Sequence, residues 1–294
     1  MDIITVIIQA VVQGLTEFLP VSSSGHLSVV QHVTGVNGEA ALVLSLITSV
    51  VLHLGTLLAV FIAFFPTIWG MIKEFFLTIG DIFTGKFSWK NMNGNRRMMF
   101  MVIIATVILV PFYLVEGFFT GRQGDGDIVF EGAAFLFTSL ILFLSDRFGH
   151  GTRTAEQMTV KDAVTVGLFQ VVALFPGVSR SGSTTAGGLL SGLEKETAVT
   201  FAFILGIPAI LGGSVLELGD ALHSDMELDW VALGIGFVIA AVVGILSIKL
   251  VSWLVKKDRY KIFGVYTAVL GAVCVAAGLW EHISGNTLHS LLMG

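Results

Sequence analysis

The chain has 294 residues and a single cysteine, which excludes an intrachain disulfide. Cys274 lies in an apolar stretch and reads as a packing residue. Charge is equally scarce. Charged residues make up 13% of the chain, against roughly 25% in an average soluble domain. The N-terminus carries Asp2 and lacks the basic region of a cleaved signal peptide, so segment 3–21 is expected to be retained. Low-complexity tracts, long linkers and any stretch resembling a separate soluble domain are missing too. The net charge of −5 says little, because in such a chain the placement of charge matters more than its sum.

What the chain does have is grease. Hydrophobic residues reach 54%, and several stretches of about 20 residues are long enough to cross a hydrocarbon core about 30 Å thick. Six segments read as full spans: 40–65, 98–117, 129–145, 196–218, 230–255 and 262–281. The third is short and can extend towards Asp127 or Arg147. Pro111 and Pro208 fall inside spans and are expected to bend or end them. Segment 66–84 reads as an amphipathic helix with Lys73 and Glu74 on its polar side. Two further regions, 3–35 and 162–193, are apolar at both ends and broken in the middle by Pro, Ser and Gly. Each predicts two half-helices meeting at a turn, a re-entrant hairpin.

Basic residues set the orientation. Lys73, Lys86, Lys90, Arg96 and Arg97 lie in one loop, Arg147, Arg153 and Lys161 in a second, and Lys249, Lys256, Lys257, Arg259 and Lys261 around a third. These are 13 of the 16 basic residues, so the three loops are expected on the cytoplasmic side. Loops 118–128 and 219–229 hold Asp125, Asp127, Asp220, Asp225, Glu227 and Asp229, with Arg122 as their base, and fit the outside. Each half of the chain is then one hairpin and three spans. Three is odd, so the halves must be inverted in the membrane, and the two hairpin turns approach each other from opposite faces. The expected fold is an all-α polytopic membrane protein, six transmembrane spans plus two re-entrant helical hairpins arranged as an inverted-topology repeat. It forms a single membrane domain over 1–294, with repeats of about 1–150 and 158–294.

The hairpin turns carry one motif twice. The first reads Gln13-Gly-Leu-Thr-Glu17-Phe18-Leu-Pro-Val21-Ser22-Ser23-Ser24-Gly25-His26, the second Gln170-Val-Val-Ala-Leu174-Phe175-Pro-Gly-Val178-Ser179-Arg180-Ser181-Gly182-Ser183. Gln, Phe, Val, Ser, Ser and Gly recur at one offset of 157 residues. The serines Ser22, Ser23 and Ser24, and Ser179, Ser181 and Ser183, stand where a half-helix begins and can cap it. Two helix N-termini facing each other offer free N–H groups and positive dipole ends, and Gly25 and Gly182 let a ligand approach the backbone. That is an anion site. Arg180 adds a permanently charged fork suited to phosphate oxygens, and an arginine at membrane depth is costly unless paired. The plainer readings are that the serines only cap, that Glu17 only neutralises Arg180, and that His26 is a packed interior histidine. His53 is left open between site and structure, while His32 and His150 read as surface residues.

A hydroxyl, an imidazole, a carboxylate and an arginine inside a membrane protein point to phosphoryl chemistry on a lipid. Ser23 is the favoured nucleophile, with His26 three residues on and so on the same helical face; His26 itself attacking is the alternative. The two motifs resemble those of the bacitracin-resistance family of undecaprenyl-diphosphate phosphatases, and the likeness extends over the whole chain in length and segment order. The resemblance implies removal of the terminal phosphate of undecaprenyl diphosphate, a polyprenyl diphosphate lipid, recycling the carrier for peptidoglycan synthesis in the bacterial plasma (inner) membrane. It also implies a divalent cation, Mg2+ or Ca2+. The family's first motif position is Glu or Gln; Gln13 stands there, so a metal rests on Glu17. Ser23, His26, Glu17 and Arg180 are thus the expected catalytic set, with Gln13, Ser22, Ser24, Gly25, Ser179, Ser181 and Gly182 binding substrate. Membrane lipids are expected neighbours and nucleic acid is not; a homodimer is left open. The architecture alone would favour an inverted-repeat transporter or flippase for a lipid phosphate or other anion. The acid–base and nucleophile set, which transport does not need, favours an enzyme.

Overall fold

The computed structural model describes residues 3–34, 39–113, 128–221, 229–288 and 290. Among these, eleven α-helices and one short 3-10 turn account for the regular structure, and β pairing is limited to an isolated bridge between Arg153 and Leu193. The helices are α1 (Ile3–Thr16), α2 (Ser23–Thr34), α3 (Glu39–Ala63), α4 (Phe65–Phe83), α5 (Gly94–Tyr113) and α6 (Ile128–Phe148). After the 3-10 turn Ala155–Gln157 come α7 (Val160–Val172), α8 (Arg180–Ser191), α9 (Lys195–Ala221), α10 (Trp230–Lys256) and α11 (Lys261–Ser284).

Helices α3, α5, α6, α9, α10 and α11 fall on the six expected segments. By length and apolarity five helices can cross a membrane, or six if α3 and α4 count as one unit bent by 84°. The chain is a multi-pass helical membrane protein. The bend follows from Phe64, whose backbone leaves the helical region, and from Pro66, whose fixed φ suits a first helical turn but whose ring cannot continue the preceding helix. The third span does extend past 145 to Phe148, and α9 runs on through Pro208. The acidic residues Asp125, Asp127, Asp225 and Glu227, together with Arg122 and Asp2, lie outside the described residues.

Helix α4 exposes Phe65, Trp69, Phe75, Phe76, Ile82 and Phe83 on its apolar side. On its other side Glu74 accepts from Asn93 at 2.6 Å and pairs with Arg96 at 2.6 Å, while Lys73 lies over the Trp69 ring.

Packing follows the rules of helices in lipid, where close backbone approach replaces the hydrophobic drive. Helix α6 lies along α11, and α1 and α3 lie along α10. Gly132 and Gly271 sit at the α6–α11 contact, where a Cβ on either would come within 2.9 Å or less of the other's carbonyl oxygen. Cys274 is buried beside Ile128 and Phe135, as a packing residue should be. His32 departs from the sequence reading. It is not a surface side chain but pairs with Glu281 of α11 at 2.9 Å, because α2 folds back into the body of the protein.

The second helix–turn–helix is stapled from outside. Thr159 caps α7 reciprocally with Asp162, and Arg153 forks onto the Asp162 carboxylate at 2.5 and 2.7 Å. The same guanidinium donates to the carbonyl of Ser191, so one side chain ties the start of α7 to the end of α8.

Candidate functional site

Two turns make the site. After α1, Pro20 prevents helix continuation, and the chain reverses through Ser22, which adopts a left-handed φ of 72°. A serine held there is strained, and strain of this kind persists where the surroundings over-determine it. Ser22 then caps α2, its Oγ accepting from the Gly25 amide at 3.2 Å. In the second copy Ser179 caps α8 in the same way, accepting from Gly182 N at 3.1 Å, after a turn through Gly177 at φ 81°. The caps satisfy one first-turn N–H each; the rest of each first turn has no intrahelical acceptor.

The turns abut reciprocally. A Cβ on Gly25 would come 3.2 Å from the Gly177 Cα, and a Cβ on Gly182 would come 3.1 Å from the Pro20 Cβ. Gly177 and Pro20 are themselves equivalent under the 157-residue offset. Side chains cross the junction as well: Ser24 Oγ accepts from Gly177 N at 3.4 Å, and Ser181 Oγ donates to the Leu19 carbonyl at 3.1 Å. Both turns open on a cavity of about 260 Å³. Its polar lining includes Thr16, Glu17, Ser22, Ser23, Ser24, His53, Gln170, Ser179, Arg180, Ser181 and Ser214, and its apolar lining includes Leu109, Ala209 and Ile210.

Glu17 is the hub. Its side chain is 3% exposed, and it accepts from Gln13 Nε2 at 2.9 Å, from Ser23 Oγ at 3.1 Å and from Arg180 Nη2. A buried carboxylate is tolerable only when so provided. His53 donates through Nδ1 to the Ser49 carbonyl at 2.8 Å and presents Nε2 3.7 Å from Glu17 Oε2, beyond hydrogen-bond distance. The histidine left open by sequence reading therefore lines the site.

His26 is placed elsewhere. Its Nδ1 lies 2.6 Å from the Ser22 carbonyl, which can only accept, so Nδ1 carries the proton of the neutral ring and Nε2 is left to accept from Tyr266 OH at 2.7 Å. The ring stacks on Tyr266 with centroids 5.7 Å apart and meets Phe135 edge-on at 5.2 Å. Helical spacing brings His26 onto the turn, yet the hydroxyl of Ser23 is engaged by Glu17. Gln13, Gly25 and Gly182 stand behind the cavity wall rather than on it. Thr16, Gln170 and Tyr266 were not singled out from sequence as site residues. Of these only Gln170 carried a signal, as the repeat equivalent of Gln13.

The profile of the family described as bacitracin resistance protein BacA matches residues 6–273. The chain belongs to that family. Among curated members, an undecaprenyl-diphosphatase from Alkaliphilus metalliredigens is 38% identical over 277 residues, covering 93% of this chain and 98% of the relative. Those from Methanobrevibacter smithii and Methanosphaera stadtmanae are 41% and 35% identical, covering 93% and 94% of this chain and 96% and 98% of their own.

A cation's fit can be judged from the donors. Among the described residues no three His, Cys, Asp or Glu side chains gather to form a closed metal site. The oxygens that do converge are one carboxylate and several hydroxyls. That set suits a hard cation taking its remaining ligands from water and substrate phosphates, as magnesium commonly does.

Proposed function

We propose that this chain hydrolyses undecaprenyl diphosphate to undecaprenyl phosphate and inorganic phosphate in the bacterial plasma membrane, returning the carrier lipid to peptidoglycan synthesis. The observation that carries the reading is the convergence of Ser23 and Arg180, each at a helix N-terminus, on the buried Glu17 in one cavity. The site lies within a single membrane domain, where α1–α2 and α7–α8 form re-entrant hairpins of an inverted repeat and the six long helices span.

The terminal phosphate sits against the two helix N-termini, whose free N–H groups and dipoles hold its oxygens. Arg180 spends one N–H on Glu17 and has others for the phosphate. Ser23 Oγ attacks the terminal phosphorus. Its proton passes to Glu17, the bond from phosphorus to the bridging oxygen breaks, and the proton is returned to the departing lipid phosphate. Water then attacks the phosphoserine and gives a proton to Glu17, the bond from phosphorus to Ser23 Oγ breaks, and Glu17 returns the proton to that oxygen, so that inorganic phosphate leaves with Ser23 and Glu17 both restored. Glu17, with the hydroxyls of Ser22 and Ser24, would hold a magnesium or calcium ion, which supplies neutralisation of the diphosphate charge when bound. His26 acts by position, bracing the first turn against α11 through Tyr266.

Purified protein in detergent, with no second compartment, is expected to release inorganic phosphate from a short prenyl diphosphate. Binding of that lipid with no phosphate release, in the presence of magnesium or calcium, would sink the reading.

A further inference from the structure

Gln170 closes the last turn of α7 and is 2% exposed. Its side chain offers two donors and an acceptor, and neither Nε2 nor Oε1 has a hydrogen-bond partner. Among the buried side chains of the described residues it alone leaves both heteroatoms unmatched. Buried amides are almost always bonded, and an unmatched one is unfavourable where an apolar residue of similar shape would not be.

The repeat shows where a partner would stand. In the first copy Gln13 donates to Glu17, four residues on and one helical turn away. Gln170 is the equivalent of Gln13, but four residues beyond it stands Leu174, which can accept nothing. The amide has been kept in the copy from which its carboxylate is missing. It also forms part of the cavity wall shared by Ser23 and Arg180.

We infer that Gln170 is a ligand of the substrate's diphosphate, its Nε2 donating to a phosphate oxygen. The inference rests on the phosphatase reading for the identity of that substrate. An anionic oxygen replaces for Gln170 the carboxylate oxygen that Gln13 finds in Glu17. The amide stands ready in the substrate-free chain, so no rearrangement of solvent is needed when the phosphate arrives. Being uncharged, it adds a directed contact without the cost of a second unpaired cation at membrane depth.

The test uses the full chain in detergent with Gln170→Leu, Gln170→Glu and the parent. Three quantities are measured: thermal unfolding, affinity for a non-hydrolysable prenyl methylenediphosphonate, and phosphate release from the matching prenyl diphosphate. Gln170→Leu is expected to unfold no earlier than the parent. It should bind the diphosphonate about 10- to 100-fold more weakly, the range for losing one hydrogen bond to a charged group. Gln170→Glu, the same in shape but anionic, should bind more weakly still. Parent-like affinity in the Leu variant would overturn the inference, and so would a Leu variant that unfolds early yet keeps its affinity. Should the Leu variant not fold, parent-like affinity in Gln170→Glu would do the same. A parent that binds the diphosphonate but releases no phosphate would remove the phosphatase reading, and the comparison of affinities would still decide the role of Gln170.

Discussion

Ser23 and Arg180 occupy the same position in the two copies of a repeated motif, and both end on the carboxylate of Glu17. On the proposed reading, this one position supplies the nucleophile in one copy of the turn and the phosphate clamp in the other. The carboxylate between them has no counterpart, since its equivalent is Leu174.

Arg180→Lys keeps the positive charge and loses the planar fork, so it cannot serve Glu17 and a phosphate together as the guanidinium can. Turnover of a prenyl diphosphate, expressed as kcat/KM, should fall by about 10- to 100-fold, as for losing one charge-assisted bond. A lysine variant with parent-like kcat/KM would make Arg180 a counter-ion for Glu17 and nothing more.

Ser23→Ala removes the attacking oxygen while leaving the caps made by Ser22 and Ser179 in place. Phosphate release should drop to background with diphosphate affinity retained, and a rapid acid or base quench of the parent should trap phosphoserine. Recovery of phosphohistidine, with substantial turnover in Ser23→Ala, would hand the attack to His26.

Gly25→Ala places a methyl group 2.7 Å from Phe135 Cζ, and Gly182→Ala places one 3.1 Å from Pro20 Cβ. The first should destabilise by about 1–3 kcal/mol, as overpacking does, and the second by less. Combining Gly25→Ala with Phe135→Leu should recover part of the loss. Thermal unfolding in detergent reads the order; equal and negligible shifts would contradict the close abutment.

Cysteines introduced one at a time into a Cys274→Ala background should report the topology. Asp125→Cys and Asp225→Cys are expected to react with an impermeant thiol reagent from outside intact cells, and Lys90→Cys and Gln157→Cys are not. External labelling of Gln157→Cys would overturn the entry of the second hairpin from the cytoplasmic side.

Much of this was readable from residues. The paired motifs, the breaks at Pro20 and Pro176 and the long apolar runs follow from local chemistry that the sequence displays directly. His53 did not, because a lone histidine on an apolar span has no local signal for what lies across from it. The placement of His26 was hidden for a different reason. Helical spacing from Ser23 predicts a shared face, but the hydrogen bonds that orient the ring run back to the Ser22 carbonyl and across to Tyr266, 240 residues away. His32 escaped in the same way, since Glu281 is remote in sequence. Gln170 was legible as a repeat and illegible as an orphan, since only three dimensions reveal that nothing meets its amide.

The reciprocal seating of Gly25 on Gly177 and of Gly182 on Pro20 also bears on motion. Carrying a solute through an inverted repeat requires one half to rock against the other about the central site. Here that rocking would have to part Ser24 from Gly177, Ser181 from Leu19 and Glu17 from Arg180 together, exposing a carboxylate and a guanidinium to a low-dielectric interior at once. On the proposed reading these ties would make the junction a fixed anvil rather than a hinge, with the lipid coming to it and leaving by one side.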